Sequence, residues 1–410
     1  MQPFVACDYE GHVFSNRRIV YTCADRVTFP DTYSHYKPRL TRENNLSYSK
    51  NINALQILRA IAALMVVVWH SNLAIKNTVH DYWINGDALY RAAHYLSPLN
   101  HLYFGVDIFF CISGYIMYML IEKTPPNIEA SFKFLLDRAI RILPPYWLFT
   151  ALVVVAYLAS RGHFNVGHLT GDLGVDVFRF LTSILMFPQP HAPILGVGWT
   201  LVHETLFYLI CGLVGVFGLN RRLPEVLATL SIVAIVLAVL DISIFYGYGF
   251  SPYYIEFFFG AMAYRFSNRV TAYPILTIFT GLGCYFTACY ILDSQVIPNI
   301  TFITRQLFGG LFGFFLISGL IAADRKYLFS TTNIGNLFMR IGDASYTLYL
   351  LHWFVLSIMG KIIGLTPEVP LVIVATWHVL SVITAITLSV FFAEKVELPF
   401  HRWFRQRIYS

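Results

Sequence analysis

The sequence predicts an all-α fold, a polytopic membrane bundle of about ten transmembrane helices. Of its 410 residues, 57% are hydrophobic and only 13% are charged, whereas a soluble domain has roughly 45–50% apolar and about 25% charged residues. Apolar stretches of roughly 20 residues, the length that crosses a bilayer, follow one another from residue 55 onward. This composition excludes an ordinary soluble enzyme, a disordered chain and a small secreted domain held by disulfides.

The net charge of +6 is common among proteins that bind nucleic acid, but in a membrane protein a basic excess usually lies on cytoplasmic loops. We therefore expect no nucleic-acid partner. The six cysteines form no CxxC pair and have no regular spacing, so they indicate neither a disulfide framework nor a zinc site. We expect no bound metal ion.

The chain is predicted to have three parts. Residues 1–50 are polar and lack both an apolar run and the pattern of a signal peptide, which indicates a cytoplasmic tail or translation from an early start codon. Residues 51–403 form the membrane domain, and residues 404–410 form a short cytoplasmic C-terminal tail.

The predicted spans are separated by proline, glycine and charged residues, which interrupt helices. The sixth is short, and no internal repeat is apparent. In chain order the spans cover residues 56–75, 102–121, 142–160, 197–218, 223–244, 252–267, 273–293, 302–323, 341–363 and 369–393.

The distribution of basic residues sets the predicted orientation, with both termini in the cytoplasm. Without the N-terminal tail, the inner loops hold 15 basic residues: Lys123, Lys133, Arg138, Arg141, Arg221, Arg222, Arg265, Arg269, Arg325, Lys326, Arg340, Lys395, Arg402, Arg405 and Arg407. The outer side holds six: Lys76, Arg91, Arg161, Arg179, Arg305 and Lys361. This asymmetry follows the positive-inside rule and predicts a protein of the bacterial inner membrane, whose longest outer loop is 161–196.

Two ionisable residues in the first span are the strongest functional candidates. Arg59 and His70 are eleven residues apart, which is about three helical turns and roughly 16 Å of rise, so both point to one side. Considered separately, Arg59 is explained as an anchor at the inner interface, and His70 is explained as a hydrogen-bonding partner of a neighbouring helix. Their shared face favours a functional site.

Polar residues at similar depth occur in other spans. Helical rise places Asp107 about 6 Å and Glu204 about 9 Å below the outer edge, close to the level of His70, and His352 nearer the middle of the membrane. Each alone is explained by a hydrogen bond between helices. Together they predict a buried polar site toward the outer leaflet that contains a histidine and carboxylates.

A second candidate group lies before the third span on the predicted cytoplasmic side. Arg138 and Arg141 are three residues apart, so on a helix they share a face and offer two guanidinium groups to phosphates. The alternative is ordinary positive-inside charge.

Six motifs resemble those of the acyltransferase-3 family of integral-membrane O-acyltransferases, and within it the exopolysaccharide-type acetyltransferases. They occur in family order over about residues 53–403, and the chain departs from the family in its tail and at Gln56. The motifs are Arg59 with His70, Gly105-Val106-Asp107-Ile108-Phe109-Phe110 with Ser113-Gly114-Tyr115, Arg138 and Arg141 with Pro144 and Tyr146, Trp199 with Glu204, Phe207 and Tyr208, Ser345-Tyr346 with Tyr349 and His352, and Glu397-Leu398-Pro399.

The resemblance implies acyl transfer, commonly of acetyl from acetyl-CoA, to a carbohydrate hydroxyl at the membrane. It implies that His70 and Arg59 are essential and that the Arg-x-x-Arg loop serves the acyl donor. We expect no permanently bound cofactor, an acyl-CoA donor, a carbohydrate or lipid-linked glycan acceptor, and contacts with membrane lipid and polysaccharide-biosynthesis machinery.

Roles follow from this chemistry. A histidine with a pKa near neutrality suits the activation of a sugar hydroxyl, and a carboxylate that pairs with it completes the site. Glu204 is favoured over Asp107 for that pairing. The expected site residues are His70, Glu204 and Asp107 for catalysis, Arg59, Arg138 and Arg141 for the acyl donor, and Tyr349 and His352 for substrate binding.

Three questions stay open at this level. Intramembrane charges also mark transport pathways, so a transporter or an export component for a polysaccharide is the alternative function. The acyl group is acetyl, succinyl or longer. Direct transfer and an acyl-histidine relay both fit the residues.

Overall fold

The structure, a computed structural model, describes residues 42–83, 100–160, 168–188, 192–240, 251–267, 273–294, 301–327, 329–364 and 371–409. Within these ranges the regular secondary structure is helical, without strands. The chain divides into two compact units, Met1–Ser49 and Lys50–Ser410, and the helical bundle lies within the second. Most of the predicted tail, residues 1–41, lies outside the described residues.

The described helices differ widely in length, and one continues through a π-helical turn into the next. In chain order they are α1 (Arg42–Trp83), α2 (Phe104–Ile121), α3 (Ile128–Ala159), α4 (Leu173–Ile184), α5 (Trp199–Val216), α6 (Leu223–Val239), α7 (Tyr254–Phe266), α8 (Pro274–Ser294), α9 (Thr301–Tyr327), α10 (Asn333–Asp343), α11 (Ser345–Gly364), α12 (Leu371–Phe392), the π-helical turn Ala393–Glu397 and α13 (Leu398–Tyr409).

The prediction of a polytopic helical bundle is confirmed. In the described part of the chain, nine helical segments are long and apolar enough to span a membrane. The sixth predicted span, 252–267, corresponds to α7, whose 13 residues rise only about 20 Å, less than the roughly 30 Å of hydrocarbon. The helix is nevertheless part of the bundle, since it packs against α2, α6 and α9.

Helix α2 is the centre of the bundle, and 83% of its length is buried. Two glycines let α2 and α7 approach each other closely. A Cβ on Gly114 would overlap the backbone of Phe257, and one on Gly260 would overlap the backbone of Cys111. A Cβ on Gly105 would likewise overlap the backbone of Ala62, so this glycine lets α2 approach α1. Small residues at helix crossings are the usual way for membrane helices to pack without a hydrophobic driving force.

Helix α1 is fixed on its other side by α10, α11 and α12. Their shared core is apolar and consists of Ala60, Ala63, Val67, Ile341, Leu348, Val355 and Ala385. This packing joins the N-terminal and C-terminal parts of the membrane domain, so that side chains of α1 and α11 meet.

Helix α3 differs from the prediction. The predicted third span begins at residue 142, but α3 begins at Ile128, because the Asn127 side chain caps the helix by accepting from Ala130 N. Arg138 and Arg141 therefore lie within a helix and not in the loop that the family resemblance implies. Pro144 and Pro145 follow inside the same helix, where each removes one backbone hydrogen bond.

Two predicted non-membrane segments also contain helix. The outer loop 161–196 contains α4, which starts where the Asp172 side chain accepts from Val175 N and exposes Leu173, Phe178 and Leu181. At the C-terminus the last apolar segment extends to Phe404, and α13 includes most of the residues predicted as a tail.

Candidate active site

A cavity of about 100 Å³ lies between α1, α2, α3, α5 and α11. It contains two guanidinium groups, one carboxylate and several hydroxyls on otherwise apolar walls. Its lining is Arg59, Val106, Phe109, Phe110, Ile112, Ser113, Ile116, Met117, Arg141, Ile142, Thr200, Leu201, Glu204, Tyr208, Ser345, Tyr346 and Tyr349. Five of the six family motifs contribute to this lining.

Glu204 is the carboxylate of the cavity. Its Oε1 accepts a hydrogen bond from Ser113 Oγ at 2.9 Å and another from the Tyr208 hydroxyl, one helical turn further along α5. Two donors on one oxygen hold the side chain in place. The carboxyl group therefore has a fixed position in the same cavity as the two arginines.

Arg59 is positioned through a neighbour on its own helix. Its Nη1 lies 3.4 Å from Gln56 Oε1, and Gln56 Nε2 donates to Asp343 Oδ1 at 2.9 Å. Because Gln56 links the guanidinium of α1 to the end of α10, its departure from the family pattern has a structural role.

The two arginines of α3 differ in their surroundings. Arg141 lines the cavity, whereas Arg138 is not part of its lining and its guanidinium carbon lies 5.9 Å from the centre of the Phe134 ring. Both are electrostatic neighbours of Tyr208. Only Arg141 is therefore placed to contact a molecule in the cavity.

A carboxylate from the C-terminal end of the bundle also faces the arginines. Glu397, in the π-helical turn, accepts a hydrogen bond from Thr347 Oγ1 and interacts electrostatically with Arg141 and Arg59. The carboxylates that act electrostatically on the arginine pair are thus Asp343, Glu204 and Glu397.

Tyr349 connects the cavity to a pair of histidines. Its hydroxyl donates to Val197 O at 2.9 Å and lies 2.8 Å from Thr200 Oγ1, which ties α11 to the start of α5. Its ring centre lies 5.9 Å from that of His352. The predicted substrate-binding residue Tyr349 is therefore in the cavity wall, while His352 lies behind it.

The two histidines are in contact. His352 Nε2 lies 3.2 Å from His70 Nδ1, and the ring centres are 4.9 Å apart. His352 Nδ1 lies 2.9 Å from Leu348 O, and His70 Nδ1 lies 3.0 Å from Val66 O. His352 is fully buried, which leaves it no surface for direct contact with a substrate, whereas His70 is partly exposed.

The structure does not show the predicted pairing of His70 with a carboxylate. Glu204 is engaged by Ser113 and Tyr208, and the polar contacts of His70 within the described residues go to Val66 and His352. The reason is geometric, because helical rise gives the depth of each side chain but not the side of the bundle on which it lies.

Asp107 belongs to a separate buried cluster. Its Oδ2 accepts from Arg305 Nη2 at 3.1 Å, and the completely buried carboxyl of Glu256 is its electrostatic neighbour. Arg305 lies over the ring of Tyr103, with 4.5 Å from Cζ to the ring centre. Since α2 presents Val106 and Phe110 to the cavity, Asp107 points away from it toward α7 and α9.

The expected site residues did not include Gln56, Asp343 and Glu397, nor the hydroxyl-bearing residues of the cavity lining, which are Ser113, Thr200, Tyr208, Ser345 and Tyr346. A sequence signal existed for Glu397, which opens the terminal Glu-Leu-Pro motif. Gln56 and Asp343 act through a contact between α1 and α10 that no spacing reveals. In the part of the chain that the structure describes, no group of three or more His, Cys, Asp or Glu is arranged to hold a metal ion.

The chain is similar to known proteins over most of its length. The acyltransferase domain family matches residues 52–394. The exopolysaccharide production protein ExoZ of Rhizobium meliloti (strain 1021) is 29% identical over 265 residues, which are 63% of this chain and 77% of that protein. The O-acetyl transferase of Shigella phage Sf6 is 28% identical over 274 residues, which are 59% of this chain and 74% of that protein. No solved structure matches the chain.

Proposed function

The chain belongs to the acyltransferase family and is an O-acyltransferase, and from this premise we propose that it moves an acyl group, most simply acetyl, from acyl-CoA to a hydroxyl of an exported or cell-surface carbohydrate. The observation that carries the proposal is the arrangement of the cavity. Two guanidinium groups lie within the membrane bundle. Tyr349 in the wall of their cavity contacts His352, which in turn contacts the partly exposed His70.

The arginines suit an anionic donor. A guanidinium buried between the helices of a membrane bundle is costly, and it is stabilised by an anion that binds it. Arg59 and Arg141 present planar donors that match phosphate oxygens. In the proposed complex the CoA phosphates approach from the cytoplasm along α3. They replace part of the electrostatic interaction of the two arginines with Glu204 and Glu397. Arg138 contributes attraction at longer range.

The distance between the two groups suits the length of the donor. Along α1, Arg59 and His70 are separated by roughly 16 Å of helical rise, comparable to an extended pantetheine arm. Phosphates held near Arg59 and Arg141 would bring the thioester toward His70, which lies beyond Tyr349.

The reaction moves one proton, first from the acceptor hydroxyl to His70 and then to the leaving thiolate, and it needs no external reductant or oxidant. His70 takes the proton of the acceptor hydroxyl as its oxygen forms a bond to the thioester carbon. The carbon–sulfur bond then breaks, and the proton passes to the thiolate, giving an ester and free CoA. An acyl-histidine relay uses the same residues in two steps and differs by a transient acyl group on His70.

The carbohydrate acceptor is proposed from the two relatives, one named for exopolysaccharide production and the other for O-acetyl transfer. The nine apolar helical segments of the described chain support a reaction in a membrane. We propose the bacterial inner membrane, with lipid-linked or exported glycan as the acceptor and the polysaccharide-biosynthesis machinery as a partner.

The test is chemical analysis of the surface glycan. Ester-linked acyl groups are released by mild alkali from a deletion strain and from the same strain carrying wild type or His70→Ala, and mass spectrometry identifies the acid. We expect the ester to be lost on deletion and restored by wild type only, at equal abundance of both proteins in the membrane. An unchanged ester content in the deletion strain contradicts the proposal.

A further inference from the structure

We propose that His352 is a positioning residue, which holds His70 in the tautomer with its proton on Nδ1 and so leaves the electron pair of Nε2 free for the reaction. The inference deepens the proposed function and rests on it. It follows from the direction of three hydrogen bonds and from the complete burial of His352.

The first step concerns His352 itself. A backbone carbonyl only accepts hydrogen bonds, so the contact of 2.9 Å between His352 Nδ1 and Leu348 O requires the proton on Nδ1. A neutral imidazole carries one proton, and Nε2 of His352 is then an acceptor. The ring is buried completely and touches a second histidine, which disfavours a charged form.

Because Nε2 of His352 is an acceptor, it determines which nitrogen of His70 carries the proton. Its Nδ1 lies 3.2 Å from His352 Nε2 and 3.0 Å from Val66 O. Both neighbours accept hydrogen bonds, so the arrangement that satisfies both places the proton of His70 on Nδ1. Val66 O also accepts the backbone N–H of His70 in the helical pattern, so in this proposal His352 Nε2 is the acceptor that holds the Nδ1 proton. The lone pair then resides on Nε2, and within the described residues the hydrogen bonds of the ring are made by Nδ1.

Aromatic side chains fix the ring of His70 in this position. Trp69 and Trp353 meet it edge to face, with ring-centre distances of 4.6 and 5.3 Å. Each tryptophan is the chain neighbour of one of the two histidines, so α1 and α11 each contribute one histidine and one indole. The imidazole therefore cannot turn over without disturbing both helices.

The chemical consequence is the choice of the reacting atom. A general base must have its free nitrogen at the substrate before the reaction starts, and a histidine that alternates between two tautomers offers it only part of the time. In serine hydrolases a carboxylate makes this choice. In this protein a second histidine selects the tautomer of the catalytic histidine, and it does so without adding a charge to the membrane interior.

The test compares two substitutions at one position. His352→Gln retains an acceptor near the position of Nε2, whereas His352→Leu keeps similar bulk and removes the acceptor. His378→Leu is the matched control, because His378 bonds Ser71, the residue next to His70, and is not part of the pair. Acyl transfer from labelled acetyl-CoA is measured in membranes, and ¹⁵N NMR of histidine-labelled protein reports the tautomer, with His70 assigned by His70→Ala.

We expect wild type and His352→Gln to show the His70 proton on Nδ1, and His352→Leu to show a mixture of tautomers. The rate constant of His352→Leu should fall at least tenfold, within the roughly 10²- to 10⁴-fold that general-base catalysis contributes, at an unchanged KM for the donor. His352→Gln and His378→Leu should stay within about threefold of wild type.

A proton on Nε2 of His70 in the wild-type protein would overturn the inference, as would a His352→Leu variant with the wild-type tautomer and rate. The NMR measurement does not involve acyl transfer. It therefore tests the tautomer even if the glycan analysis contradicts the proposed function, and a wrong tautomer leaves that function standing.

Discussion

The two arginines of α3 are separated by three residues, yet the structure gives them different surroundings. Arg141 lines the cavity and Arg138 does not. A hydrogen bond to a charged group is worth about 1.5–3 kcal/mol, so Arg141→Ala should raise the dissociation constant of CoA by about 10- to 100-fold. Arg141→Lys should restore little, because an ammonium lacks the planar fork.

Arg138→Ala is the matched control and should weaken binding less than about threefold, since Arg138 does not line the cavity and attracts the donor only at longer range. The measurement is calorimetric titration of the detergent-solubilised protein with CoA. Equal losses in the two alanine variants would mean that both arginines act only through general positive charge.

Substitutions in the buried cluster of Asp107, Arg305 and Glu256 are expected to change the free energy of unfolding of the protein. The carboxyls of Asp107 and Glu256 are completely buried beside the Arg305 guanidinium. Because two neighbouring carboxylates disfavour each other's charge, we expect the cluster to carry one carboxylate, one neutral carboxyl and one guanidinium. Arg305→Leu leaves a carboxylate without its partner and should destabilise the protein by about 3–5 kcal/mol. Glu256→Gln should cost far less, because its amide can donate to Asp107 in place of the carboxyl proton.

Thermal unfolding in detergent measures the difference between these two variants. If Glu256→Gln is as destabilised as Arg305→Leu, then the Glu256 carboxyl is charged in the folded protein and a neutral Glu256 is excluded.

At the level of elements, the crossing of α2 and α7 depends on the absence of side chains. A Cβ on Gly114 overlaps the backbone of Phe257, and backbone cannot move aside as a flexible side chain does. We expect Gly114→Ala to lower the unfolding temperature strongly, by the overpacking that typically costs about 1–3 kcal/mol or more.

Gly283→Ala on α8 is the control for helix propensity. A Cβ added at Gly283 would meet nothing within 4 Å among the described residues, and alanine favours a helix over glycine by about 1 kcal/mol, so this variant should be neutral or stabilised. Equal unfolding temperatures for both variants would contradict the close approach of α2 and α7.

Some elements were predictable and some were not, for a physical reason. The membrane helices follow from local hydrophobicity, which decides whether a segment enters the bilayer. The start of α3 depends on one side-chain cap at Asn127. The short α7 was predicted as the span 252–267, but its packing against three other helices was not. Such features depend on contacts that a hydropathy pattern does not contain.

At the scale of the whole molecule, the predicted sidedness decides how donor and acceptor approach. We expect the loop that begins α3 to be cytoplasmic and the loop 161–196 to be external. Gly174 and Glu129 are exposed and therefore suit chemical labelling. Asn220 does not, because it is buried and bonded through its amide to Ile121 O and Thr124 O.

In a variant whose native cysteines are replaced by alanine, Gly174→Cys should react with a membrane-impermeant maleimide in intact spheroplasts. Glu129→Cys should react only after lysis. The reverse pattern would overturn the orientation and, with it, a donor that enters from the cytoplasm.

The sequence alone determined the class of the protein, its helical membrane bundle and its family, because hydrophobic length and motif order are local properties of the chain. It also identified Arg59, Arg141, Glu204 and Tyr349, all of which line the cavity. Tertiary structure decided which polar groups meet. It joined His70 to His352, turned Asp107 toward Arg305, and brought Gln56 to Asp343. Helical periodicity gives the depth and face of a side chain within its own helix, but only the packing of helices decides which neighbour that face meets.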